Sequence, residues 1–65
     1  MTAYDQAKVI HAGFKILRCQ DEPTPHIKIK DMANGEWHHF EKFPNKAQRD
    51  RAFNDLLKLD HFIAD

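Results

Sequence analysis

What this chain lacks narrows what it can be. It has one cysteine, Cys19, so no disulfide can form within it. A lone thiol suits a reducing compartment, and the cytoplasm is the expected location. It has no surplus of either charge, because ten basic and ten acidic side chains cancel. A nucleic-acid binder usually carries a basic excess or a basic stripe. No apolar run approaches the ~20 residues that a membrane span needs, and the N-terminus does not read as a signal peptide. Repeats and low-complexity tracts are missing. Five histidines are present, but His38 and His39 are neighbours in a predicted strand and point to opposite faces. No Cys-x-x-Cys or His-x-His spacing occurs, so neither a metal nor another cofactor is expected. Cys19 sits in a strand with nothing beside it to lower its pKa, as a nucleophile would need. So short a chain also has little volume for a substrate cleft, and catalysis is not expected.

What is present reads as one small globular domain over residues 1–65. Hydrophobic residues make up 42% of the chain, enough for a folded core and against disorder. A domain this size buries only about 60% of its unfolded surface, so its core is marginal. Small domains often make up the shortfall with a disulfide, a metal or a partner chain. With the first two set aside, a homo-oligomer or another protein partner is the expectation.

The stretch 37–59 organises the rest: a strand, a corner at Phe43-Pro44 and a helix from about Lys46. Asn45 and Gln48 have the spacing of a capping box, in which each side chain satisfies a free backbone donor of the other. At 100° per residue, Ala52, Phe53, Leu56, Leu57 and Leu59 share an arc, into which Arg49 intrudes. The stem of Arg49 can pack while its guanidinium reaches past the core edge. Alternatively it meets an anion at the helix start. A first helix begins at the Thr2 cap, with Ala3, Ala7, Ile10 and Phe14 as its stripe, widened by Tyr4 and His11, and with Gly13 as its stop.

Between the helices, residues 14–20 form a strand with adjacent apolar Ile16 and Leu17. Either it is covered on both faces or one of the two is exposed. Residues 26–32 alternate cleanly, and Asn34-Gly35 is a strong hairpin signal. A two-residue turn would set Ile29 against Phe40, Asp31 against His38, Lys28 against Glu41, Lys30 against His39 and Met32 against Trp37. A three-residue turn with a glycine bulge would flip the last strand, sending Trp37 and Phe43 inward and Phe40 outward. The expected fold is two-layer α+β, α-β-β-β-α, a three-stranded antiparallel meander with both helices on one face. The other face then offers Trp37, Met32, His39 and Lys30 to a partner, and the first strand leaves an edge open to pairing.

Two resemblances rest on these residues. The segment 40–57, FEKFPNKAQRDRAFNDLL, resembles a stretch of small uncharacterised bacterial proteins, where an aromatic strand runs into a helix of the form Lys-Ala-x-Arg-Asp-Arg-x-Phe-x-x-Leu. That likeness covers about a third of the chain and implies architecture alone. The α-β-β-β-α order is similar to that of double-stranded-RNA-binding domains. In that family a Gly-Pro-x-His loop reaches a minor groove and a lysine-rich helix start grips phosphates. Pro25-His26 lies in the corresponding loop, and Lys46 and Arg49 at the corresponding helix start. No glycine precedes Pro25, however, Asp21 and Glu22 stand beside the loop, and Asn45 and Gln48 interrupt the basic triplet. The leading expectation is therefore a non-catalytic interaction module that self-associates through the open sheet face or an edge strand. The alternative is nucleic-acid binding through Lys46, Arg49, Arg51 and His26.

Overall fold

A computed structural model describes residues 1–32 and 35–65. The elements run α1 (Ala3–His11), β1 (Lys15–Gln20), β2 (His26–Lys30), β3 (His38–Lys42), α2 (Lys46–Leu57) and β4 (Phe62–Ala64). The sheet order is β3-β2-β1-β4. The α+β class and the antiparallel β1-β2-β3 meander are as expected, with β2 between β1 and β3. The fourth strand is additional to that expectation. β4 lies parallel to β1, setting Phe62, Ile63 and Ala64 against Lys15, Ile16 and Leu17.

Local chemistry sets both helix starts. The Thr2 hydroxyl accepts the Asp5 N–H at 3.1 Å, and the Asn45 side chain accepts the Gln48 N–H at 2.8 Å. Each cap satisfies a donor that the helix itself leaves free, which contributes about 1 kcal/mol. α1 stops at Gly13, whose φ of +101° is costly for any residue with a Cβ. There the Phe14 N–H reaches the Val9 carbonyl and the Gly13 N–H reaches Ile10, a Schellman closure. α2 ends at Leu57, so Leu59, expected in its apolar arc, lies beyond the helix and is 48% exposed.

Ile16 and Leu17 are both fully buried. Consecutive strand residues point to opposite faces, so the sheet is covered on both sides. On one face Leu17, Ile27 and Ile29 meet Phe43, Phe62 and, from α2, Ala52, Phe53, Leu56 and Leu57. Burying side chains of this size contributes roughly 1.5–3 kcal/mol each. On the other face, with Ile16 and Lys30, lies α1: its buried Gln6 accepts a hydrogen bond from Lys30 Nζ at 2.9 Å. The expectation that both helices share one face is therefore corrected. One layer of helix cannot cover Ile16 and Leu17 together.

Neither expected hairpin register occurs. His38 lies opposite Ile29 and His39 opposite Lys28, two positions away from the two-residue-turn pairing. A shift of two keeps every side chain on its face, so Trp37 stays on the α1 face with Lys30. A bulge at Phe40 then flips the remainder of β3: Glu41 pairs with Ile27, Lys42 with His26, and Phe43 turns into the α2 core. The turn signal itself falls partly on Asn34, which lies outside the described residues. Gly35 has a φ of +70°.

Candidate functional site

The α1 face is the part of the sheet where the most functional chemistry gathers. β1 contributes Ile16, Arg18 and Gln20 to it, and β2 contributes His26, Lys28 and Lys30. From β3 come His39 and Lys42, opposite Lys28 and His26. Trp37 just precedes β3, and Asp65 comes directly after β4. α1 covers the Ile16–Lys30 end. At the other end His39 and Lys42 are exposed, while Gln20 and Lys28 are half-buried.

A chain of polar contacts crosses the boundary of the covered region. Asp65 Oδ2 accepts from Arg18 Nε at 2.7 Å and pairs with Arg18 Nη2 at 2.6 Å. The Gln6 amide donates to Asp65 Oδ1 at 3.3 Å and accepts from Lys30. The Arg18 guanidinium lies 4.2 Å from the Trp37 ring centre, and Lys30 Nζ lies 6.0 Å from it. Burial pushes the Asp65 carboxyl up, but the hydrogen bonds and charge of Arg18, helped by Gln6, outweigh it and hold the group below the usual range. The half-buried Trp37 ring thus lies against cations, an arrangement that also stabilises it locally.

Beyond Trp37 the rings of His26 and His39 stack, with centres 5.8 Å apart and planes 25° from parallel. His26 is buried, and its Nδ1 lies 2.7 Å from the Thr24 carbonyl oxygen. A carbonyl can only accept, so Nδ1 carries a proton and donates it to this bond. Pro23, Thr24, His26, His39 and Lys42 line an open hollow of about 330 Å³.

The helix-start residues proposed from sequence are placed differently. Arg49 is buried, and its Nη1 donates to the Gln20 carbonyl at 2.8 Å and to Asp21 Oδ1 at 2.6 Å. Nε and Nη2 reach Asp50 Oδ1 at 3.1 and 3.0 Å. Lys46 Nζ is 3.6 Å from Asp21 Oδ2. The hydrogen bond to Arg49, with the charge of Lys46, holds the Asp21 carboxyl low, and the same bond raises Arg49. This cluster ties the start of α2 to the end of β1. Arg51 is exposed on α2. Of the sequence-proposed partner residues, Trp37, His39 and Lys30 share the α1 face. Met32, 64% exposed, lies at its covered end, where it lines a hollow with Ala3, Ala7 and Ile10.

Sequence reading placed Lys28 on this face with Lys30 and His39, as found, but missed Arg18, Lys42 and Asp65 as members of the same surface. The alternation of β1 and β2 could have placed Arg18 beside Lys28. Lys42 depends on the bulge and Asp65 on β4, and neither leaves a mark in the local pattern. Among the described residues, no three His, Cys, Asp or Glu side chains gather as metal ligands. His38 lies on the α2 face, its Nε2 3.8 Å from Asp31 Oδ1, and His61 packs on Phe62. Cys19 is half-buried; burial raises its thiol pKa, with Arg49 opposing. No described helix is long and apolar enough to cross a membrane. No family model, no curated protein and no solved structure matches the chain.

Proposed function

We propose that this chain is a small non-catalytic binding module that engages an anionic partner through the uncovered part of the α1 face. The observation that carries the reading is the segregation of charge. The chain is neutral as a whole. Yet among strand residues Arg18, Lys28, Lys30 and Lys42 share this face, and Lys15 alone of the strands' basic residues points the other way. The carboxylate that extends from β4 onto the face, Asp65, is taken by Arg18. Such a face attracts opposite charge despite a net charge of zero.

The groups whose titration is shifted support a binding rather than a catalytic role. Asp21, Arg49 and Asp65 owe their shifts to ion pairs that join secondary-structure elements. The half-buried thiol of Cys19 suits the cytoplasm. The partner in this reading is a different molecule. Two copies meeting on this face would set Lys28 and Lys42 against their own likes. Pairing through β1 or β3 is also hindered: β4 covers β1 over Lys15–Leu17, Arg49 caps the Gln20 carbonyl, and the bulge at Phe40 disrupts the outer edge of β3.

Chromatography on a sulfonated cation-exchange matrix near pH 7 tests the reading. A neutral chain with evenly mixed charge passes through at low salt, whereas this one is expected to be retained. Lys28→Ala with Lys42→Ala should abolish retention, and Lys46→Ala with Arg51→Ala should leave it. Passage of the parent chain without delay, or loss of retention only in the second pair, would sink the proposal.

A further inference from the structure

We infer that the ligand of this face is a single-stranded nucleic acid; the inference rests on the anionic-partner reading and names its class. Charge alone would admit any polyanion, so the rings decide. His39 is exposed and stacked on His26, and Trp37 lies against the Arg18 guanidinium. Flat groups standing among cations match what a nucleotide strand presents: a base to stack and a phosphate to neutralise. An acidic peptide would pair with Lys28 and Lys42 and make no use of the ring faces. A duplex hides its base faces within its own stack, so a sheet bearing rings favours unpaired nucleotides.

The roles divide by position. Lys28 and Lys42 stand on either side of the His26–His39 stack, Lys28 opposite His39 and Lys42 opposite His26. They are placed to hold consecutive phosphates while a base covers His39. The hollow lined by Pro23, Thr24, His26 and Lys42 can receive the edge of that base. Arg18 keeps its bond to Asp65 and offers the outer side of its guanidinium plane, next to Trp37. This surface lies apart from the helix start proposed from sequence, where Asp21 already engages Lys46 and Arg49.

The single tryptophan lies in the surface and reports on it. Titration with an oligothymidylate of about ten nucleotides at low salt should change Trp37 emission saturably. The logarithm of the affinity should fall with the logarithm of salt with a slope of about −2, as expected when about three phosphates are neutralised on a single strand. His39→Ala should weaken binding about tenfold by removing one stacking contact, and Lys42→Glu at least as much. Both positions are exposed, and circular dichroism confirms that each variant is folded. Polyglutamate binding as tightly as the oligonucleotide would overturn the nucleic-acid inference and leave the anionic-partner reading standing. So would retention on the sulfonated matrix without oligonucleotide binding. Failure of the matrix, the oligonucleotide and polyglutamate alike would remove both.

Discussion

Asp65 shows how much one side chain near a chain end can do. Its carboxylate binds Arg18 from β1 and Gln6 from α1, and its backbone N–H donates to the Leu17 carbonyl at 2.9 Å. A group whose folded pKa is depressed stabilises the fold above its unfolded value, near ~3.9 for Asp. That contribution is lost as pH falls through the lower folded value. Asp65→Asn is therefore expected to flatten the acid limb of the stability–pH curve relative to the parent, with the two differing most above pH ~4. Thermal unfolding across an acid series checks it. A parent and variant separated by a constant amount at every pH would show that the carboxylate charge is not what matters. The low pKa of Asp21 adds a second acid-sensitive contribution that the variant keeps.

Among the elements, those with purely local signals were readable. Both N-caps and the glycine stop of α1 arise from chemistry within five residues, and they occur where the sequence places them. Gly13→Ala should lower stability by roughly 1 kcal/mol through backbone strain alone, since a Cβ there would meet no atom within 4 Å. Urea unfolding should show a lower midpoint with an unchanged slope; an unchanged midpoint would contradict the role of Gly13 as the helix stop. What depends on distant partners was harder to read. The adjacent pair Ile16 and Leu17 admits either a sheet covered twice or one exposed apolar side chain, and a two-layer reading leaves no helix for the second face; both residues are buried. β4 has three residues and gains its identity from β1, whose paired residues lie 47 positions away in the chain. The bulge at Phe40 made both candidate registers half right: Trp37 obeys one, Phe43 the other. Buried Gln6 broke the apolar stripe expected of α1, because it answers Lys30 and Asp65 rather than the core.

For the whole molecule, the second face explains how a neutral chain can present a basic surface. α2 fills one side of the sheet with apolar side chains, while α1 is short enough to cover only part of the other. The remainder carries Arg18, Lys28, Trp37, His39 and Lys42, and it is the surface to which the proposed function belongs. Composition could not show this, because summing charge over the chain erases where the charges lie. Amide chemical-shift mapping with a sulfated oligosaccharide tests the placement most directly. Shifts are expected to be confined to residues 18–20, 26–30 and 37–42 and to weaken as salt is raised. Shifts centred on residues 46–51 of α2, or none at low salt, would contradict it.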